Sequence, residues 1–385
     1  MTNPFTVGLV ESEKEFCNRT QEIQDLLGHT RNGNKVVLFS PRRYGKSSLV
    51  KLVQKKLARE GLATVYVDLF PVSSKEDLVT RLAYAFFKGL GKGADPRPFL
   101  AKAKGLFGRL RPTVSMTAEG VSFSVDVDPR TKPPLLLDDL MEGVGRYVEK
   151  NKVRVSVVLD EFQEITDLPE SKEIEGILRS HIQSQRKVSY FFVGSRRRVL
   201  QEMFSLKARP FYKSAFLYPL KKIAEDKFVP FIEGRFQETG KECPERLASE
   251  IYGRVDGYPY YVQKLASLVW DGTERKVTQE IVHSSQNSLI RMETPDFEAY
   301  WSGLTGGQRN LLKAIASSPT ANLYSKDYLK KFGLSLGGTQ KALRVLLERD
   351  LIEKGEAGYA LTDPVMRGWL CGQLQPSWSP WFRFK

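Results

Sequence analysis

An α/β architecture is what this 385-residue sequence predicts: a parallel β-sheet flanked by helices, then an all-helical segment, then a small C-terminal unit of three helices and a hairpin. Three observations carry the prediction. Strand-like apolar runs alternate with amphipathic runs up to about residue 220, the order that builds a parallel sheet covered by helices. One strand-to-helix junction in that region has the composition of a phosphate-binding loop. Beyond residue 220 the apolar residues recur with helical spacing, and strand-like runs return only near the end.

Taken in order, Phe16 to Ile23 opens a short helical pattern, and Lys35 to Phe39 is the first strand. Leu49 to Ala58 is an amphipathic helix, Ala63 to Leu69 a second strand, and Leu78, Leu82, Ala85 and Phe86 mark the apolar face of the next helix. From about 91 to 134 the alternation breaks. Gly, Pro, Lys and Arg crowd this segment, and 113–117 and 121–127 alternate apolar with polar around Ala118-Glu119-Gly120, which predicts a β-hairpin inserted between core elements. The stretch before it, Lys102 through Arg111, is basic with Phe107 and Leu110 interleaved, and reads either as a partner-contacting insertion or as a tolerated surface loop. The sheet resumes with Val153 to Leu159, followed by a helix from Ser171 to Arg186, a strand from Ser189 to Gly194, and a last strand from Phe216 to Leu220. Helical patterns then cover 223–238, 244–252, 259–270 and 277–292. The domain boundaries that follow are 1–220 for the α/β core, with the insertion at about 91–134, 221–295 for a helical lid, and 296–385 for the C-terminal unit.

The chemistry is concentrated at two strand ends. Ser40-Pro41-Arg42-Arg43-Tyr44-Gly45-Lys46-Ser47-Ser48 joins a strand to a helix, so backbone N–H groups and the positive end of the helix dipole converge where phosphate can dock. Gly45 lets the backbone approach the phosphates, Lys46 reaches the β- and γ-phosphates, and Ser47 offers a hydroxyl to Mg²⁺. Ser40 stands where the pattern's first glycine belongs. The Val153 strand ends in Asp160-Glu161, two acids at the mouth of a buried strand, where packing alone explains them poorly. Their expected roles divide: Asp160 holds the Mg²⁺ shell and Glu161 polarises the water that attacks the γ-phosphate. Ser195, at the tip of the strand from Ser189, either contacts the γ-phosphate or the attacking water, or simply caps the next helix. Arg196, Arg197, Arg198 and Arg209 are candidates for a guanidinium delivered to a neighbouring subunit's nucleotide, or solvated basic surface.

Bulk properties set the wider frame. The formal charge of +14 points to an anionic partner: nucleic acid, acidic protein or acidic lipid. No apolar stretch approaches a membrane span, and Met1 to Phe5 lacks the basic-then-apolar pattern of a secretory signal, so no membrane partner is expected. Cys17, Cys243 and Cys371 are too far apart for a disulfide framework or a zinc site, and His29, His181 and His283 are equally scattered, so the expected setting is the reducing cytoplasm. At the C-terminus, helical patterns over 308–316, 325–332 and 339–349 and strands over 351–354 and 358–361 make a winged helix. Its third helix carries Gln340, Lys341, Arg344 and Arg349, suited to phosphates and base edges in a major groove, while winged helices also dock proteins or pack against a neighbouring domain.

Together these motifs resemble the archaeal-type AAA+ ATPases, P-loop NTPases related to the origin-recognition ATPases and the STAND signalling NTPases. The resemblance rests on Phe16 to Ile23, the loop from Pro41 to Leu49, Asp160-Glu161, Ser195, the motif Gly257-Tyr258-Pro259-Tyr260-Tyr261-Val262-Gln263, and the C-terminal winged helix. It implies that the segment from Pro4 to Arg19 lines an adenine pocket and that the lid around Gly257 and Pro259 closes over the base, which makes ATP the nucleotide. No arginine stands in the lid motif where many relatives carry a γ-phosphate sensor; Arg254 is the nearest substitute, and hydrolysis is accordingly expected to be slow or partner-activated. The expected protein is a Mg²⁺-dependent ATPase acting as a nucleotide-driven switch on double-stranded DNA or another polyanion. Its rivals are a regulatory or defence switch whose winged helix or insertion docks a protein, and a protein that binds ATP without hydrolysing it. Assembly into a homo-oligomer is left open.

Overall fold

The computed structural model describes residues 2–10, 12–70, 72–91, 97–103, 105–117, 120–126, 131–355 and 357–374. In chain order the elements are α1 (Thr20–Arg31), β1 (Lys35–Phe39), α2 (Lys46–Arg59), β2 (Ala63–Asp68), α3 (Lys75–Leu90), α4 (Arg97–Ala103), β3 (Arg111–Thr117), β4 (Gly120–Asp126), α5 (Pro133–Asn151), β5 (Val155–Asp160), α6 (Ser171–Ser184), β6 (Val188–Gly194), α7 (Arg197–Ser205) and β7 (Phe216–Pro219). They continue as α8 (Glu225–Gln237), α9 (Glu245–Arg254), α10 (Pro259–Asp271), α11 (Gln279–Ser302), α12 (Gly306–Ser317), α13 (Lys326–Lys331), α14 (Leu336–Glu348), β8 (Ile352–Gly355), β9 (Gly358–Leu361) and α15 (Pro364–Leu374). A 3-10 turn spans Phe162–Asp167.

Two compact units emerge, one of Arg19–Ser40 and Lys46–Leu220, the other of the residues up to Asn18, Pro41–Gly45 and Lys221 onward. In the first, five strands form a sheet in the order β2-β5-β6-β1-β7. Every pairing is parallel, with β5 and β6 side by side at its centre. Each residue of β5 and β6 is buried, which is why these runs read as unbroken apolar stretches; a parallel strand covered on both faces has no solvent side to alternate with. At the edge, β7 leaves Phe216 and Leu217 exposed. The core joins the sheet to α3, α5, α6 and α7 through Phe86, Phe87, Leu140, Val144, Ile182, Tyr190 and Phe192, among others. Burying each such side chain contributes roughly 1.5–3 kcal/mol.

Three elements differ from expectation. Residues 16–19 are not helical: Asn18 and Arg19 take left-handed backbone and α1 begins only at Thr20. Helix α5, with proline at its first turn, occupies 133–151, where the break in strand–helix alternation had hidden it. In the insertion, β3 pairs antiparallel with β4 as the alternation predicts, with 92–96, 104, 118–119 and 127–130 outside the described residues. Phe107 and Leu110 are buried in the sheet unit's core, with Phe107 edge-on to Phe87, so these two apolar side chains are not open to a partner.

In the second unit one hydrophobic cluster runs from Ile223 and Phe228 through Leu265 and Leu289 to Leu311, Leu346 and Leu370. Helix α11 passes through residues 295 and 296 without a break, with Pro295 inside it. The C-terminal elements α12, α13, α14, β8 and β9 make the three helices and hairpin of a winged helix, and its starts are written in the sequence. Thr305 and Gln308 form a capping box, and Ser325 and Ser335 each accept a backbone N–H at the head of their helix. Among the described residues, no helix is long and apolar enough to cross a membrane.

Candidate functional site

The phosphate-loop sequence begins where β1 ends. Ser40 is buried, so its environment accommodates the side chain that a glycine would lack, and its carbonyl accepts a hydrogen bond from the Lys46 ammonium at 3.1 Å. Lys46 opens α2, putting its charge at the positive end of the helix, a combination that favours an anion there. Gly45 has φ +86°, a conformation that L side chains rarely adopt, while the space around it is open; the glycine serves the backbone turn and not a tight fit. Ser48 is buried at the base of the helix.

In the sheet unit, Ser47, Asp160, Glu161 and Ser195 come together as the sequence motifs predict. Asp160 ends β5 only 3% exposed. Its Oδ2 accepts from Ser47 Oγ at 2.7 Å and from the Tyr66 hydroxyl at 2.5 Å, and its Oδ1 accepts from the Glu161 N–H at 3.1 Å. Burial pushes the Asp160 carboxyl above its usual range, against the Tyr66 and Ser47 hydrogen bonds, which favour the charged form. Glu161 follows in left-handed backbone, φ +50°, a cost of about 1–3 kcal/mol that turns its side chain toward the neighbouring strand. There its Oε2 accepts from Ser195 N at 3.1 Å, Ser195 Oγ at 2.9 Å and Gln163 Nε2 at 2.6 Å. Ser195 therefore does not cap α7; that position belongs to Arg196. Gly194, the last residue of β6, makes room for Gln163, whose Oε1 would stand 2.0 Å from a Cβ there.

The donor set fits a magnesium ion. Ser47 and Asp160 offer a hydroxyl and a carboxylate, hard oxygens held 2.7 Å apart beside a helix start. No cluster of three or more His, Cys, Asp or Glu that could hold a metal occurs among the described residues.

Other predicted residues lie elsewhere. Arg19, in the sheet unit, pairs with Glu22 at 2.6 Å and keeps a buried Nη2 without a hydrogen-bond partner. Arg196 is held by Asp167 at 2.6 Å, Arg198 by Glu202 at 2.9 Å, and Arg209 by the fully buried Glu175, so these three candidates already have acidic partners in their own chain. Arg254 is buried against Glu250 and Gln286 between helices of the second unit.

Pro41, Arg42, Arg43, Tyr44 and Gly45 belong with the second unit, where residues of the 257–263 motif contact them. Pro259 starts α10, and Tyr258 immediately before it donates its hydroxyl to the Arg42 carbonyl at 2.5 Å while its ring meets Tyr44 edge-on, centroids 4.8 Å apart. Arg43 takes φ +62°, lies 4.4 Å over the Tyr260 ring and pairs with Glu293 at 3.1 Å. Lys264 binds the other oxygen of Glu293. Tyr261 donates to Asp363 at 2.6 Å, and Asp363 caps α15 by accepting from the Val365 and Met366 N–H groups at 2.9 Å. What reads in sequence as a turn is a clamp on the loop.

On the winged helix, Gln340, Lys341 and Arg344 are exposed along α14. Arg349 differs, because its Nη1 donates to the Gly303 carbonyl at 3.2 Å and ties α14 to the end of α11.

A parallel sheet with a phosphate-loop junction, an acid pair at the end of another of its strands and a C-terminal winged helix define the P-loop ATPase class. The chain belongs to the family described as an ATPase domain predominantly from Archaea, whose model matches residues 16–265. A probable winged helix domain is matched over 295–372. Among solved structures, the fold is similar to that of the Walker-type ATPase of Pyrococcus abyssi, at a TM-score of 0.70 and 17% identity, covering 95% of this chain and 99% of the other. It is also similar to the Aeropyrum pernix ORC2 protein in its ADPNP-ADP complexes, at a TM-score of 0.59 and 16% identity, covering 97% and 98%. No curated protein matches the chain.

Proposed function

We propose that this chain is a Mg²⁺-dependent ATPase that works as a nucleotide-driven switch on DNA, with 1–220 as its catalytic core, 221–295 as its lid and 296–385 as its winged helix. One observation carries the reading: Ser47 and Asp160 share a hydrogen bond at the head of α2, and Glu161, the next residue, is aimed at Ser195 on the adjoining strand. Lys46 and the N–H groups of the loop bind the triphosphate, and Ser47 with Asp160 holds the magnesium. When bound, that ion would draw off charge from the phosphate oxygens. Glu161 orients and polarises the attacking water, with Ser195 beside it to fix the position of the carboxylate or of the water. Three donors converge on Glu161 Oε2 and fix the direction of the carboxylate, leaving Oε1 as the oxygen to accept from water. The ADPNP and ADP of the similarly folded Aeropyrum pernix protein support adenine as the base.

The exposed Gln340, Lys341 and Arg344 on α14 and the formal charge of +14 support DNA as the target of the switch. Two measurements test the whole. Phosphate release from ATP with magnesium, absent in EDTA and lost in Lys46→Ala, is expected; wild-type protein that takes up no adenine nucleotide refutes the ATPase reading. Duplex DNA affinity should fall steeply with salt, and each of Lys341→Ala and Arg344→Ala should lower the salt slope by about 1. If no duplex binds at low salt, the winged helix docks a protein instead.

A further inference from the structure

We infer that Tyr66 is a positioning residue for the metal site, a second donor to Asp160 that frees the Ser47 hydroxyl to become a ligand; the inference rests on the nucleotide reading above. Strand β2 pairs in parallel with β5, placing Tyr66 opposite Val158 and Asp68 opposite Asp160. Paired residues of a sheet share a face, and so do residues two apart on one strand; Tyr66 thus stands on the Asp160 face, one step back from its carboxylate. From there its hydroxyl reaches Asp160 Oδ2 at 2.5 Å, the same oxygen that takes the Ser47 hydrogen bond at 2.7 Å. The Lys51 ammonium, 5.2 Å from the centre of the Tyr66 ring, faces the ring from α2.

Asp160 Oδ2 therefore has two hydroxyl donors. When Ser47 turns its proton away to offer a lone pair to a cation, the Tyr66 hydroxyl goes on donating to Asp160 and keeps the carboxylate from swinging. No bond other than a hydrogen bond is exchanged, and no proton leaves its oxygen. Without the phenol, a Ser47 that stops donating leaves the 3%-exposed carboxylate with only the Glu161 N–H to fix its direction, so metal binding meets a poorly positioned ligand.

Tyr66→Phe tests this, since it keeps the ring and removes only the hydroxyl. Binding of a fluorescent ADP is measured in EDTA and then as a function of added Mn²⁺, with the bound Mn²⁺ followed by electron paramagnetic resonance. The expected result is a rise of about tenfold or more in the Mn²⁺ needed for half-saturation, the range typical of residues that support a metal ligand. Affinity in EDTA should stay at the wild-type level, which also reports that the variant is folded. An unchanged Mn²⁺ requirement overturns the inference, and so does an equal loss with and without metal, which would make Tyr66 a packing residue. Wild-type protein whose nucleotide binding ignores metal overturns the magnesium reading itself and this inference with it, a result distinct from either failure of the variant.

Discussion

Replacing Glu293 by glutamine should loosen the grip on the phosphate loop by an amount the structure lets us estimate. The Glu293 side chain is 4% exposed and sits between Arg43 at 42% and Lys264 at 19%. Removing one partner from a fully buried ion pair costs about 3–5 kcal/mol, because the other charge stays stranded. Exposed pairs are worth only about 0–1 kcal/mol, since water replaces the lost partner. Arg43 can reach water and Lys264 can do so in part, which places Glu293→Gln at about 2 kcal/mol between those limits. At about 2–4 °C per kcal/mol, the unfolding midpoint should fall by about 4–8 °C. The assay is scanning calorimetry at neutral pH, with Arg43→Ala and the double variant alongside. Arg43→Ala alone should cost about 1 kcal/mol, and the double variant less than the two losses added together, because both changes remove one contact. A shift under about 1 °C for Glu293→Gln, or strict additivity, would refute the claim that this carboxylate anchors the loop.

Three more outcomes follow from the same geometry. Glu161→Gln should lower ATP turnover by about 10²-fold or more with nucleotide affinity kept, as read by steady-state phosphate release and by fluorescent-nucleotide titration; turnover within threefold of wild type would remove Glu161 from the chemistry. Gly45→Ala places a Cβ at φ +86° and should cost at least about 1 kcal/mol, with nucleotide uptake falling as the loop shifts, measured by urea unfolding and calorimetric titration. Burial raises the Asp363 carboxyl above its usual value, so its protonated form favours the fold; that contribution is full below about pH 4 and is lost as pH climbs through the raised value. Asp363→Asn keeps a capping oxygen and removes the buried charge, so it should raise the melting midpoint at about pH 8 and match wild type near pH 4. An unchanged gap across that range would count against it.

The sheet was legible because its central strands are buried on both faces and read as apolar runs, and the acid pair stood out by ending one of them. Winged-helix starts were legible through Thr305, Ser325 and Ser335, whose capping chemistry is local. Helix α5 was not, since its proline-rich start follows a segment crowded with breakers, and the eye carries the loop forward to Val153. Phe107 and Leu110 misled for the opposite reason: basic neighbours suggest a surface, but core membership depends on Phe87 and Tyr147, distant in sequence. At the site, Lys46, Ser47, Asp160 and Glu161 announce themselves through spacing. Tyr66 and Gln163 do not, because their importance comes from strand register and from a glycine on the next strand. Tyr66 was within reach all the same: once β2 is set beside β5, alternation alone puts Tyr66 and Asp68 on the Asp160 side. Glu293 has no such signal, since helix periodicity marks its position only as inward-facing; Asp363, just before Pro364, reads as a helix cap but gives no hint of its contact with Tyr261.

The row of contacts from Arg43 to Glu293, Tyr261 and Asp363 is short and polar. It ends on the cap of the C-terminal helix α15. Four side chains thus join the head of that helix to the tip of the phosphate loop, so a substitution as far along the chain as Asp363 reaches Arg43 through neighbours in direct contact.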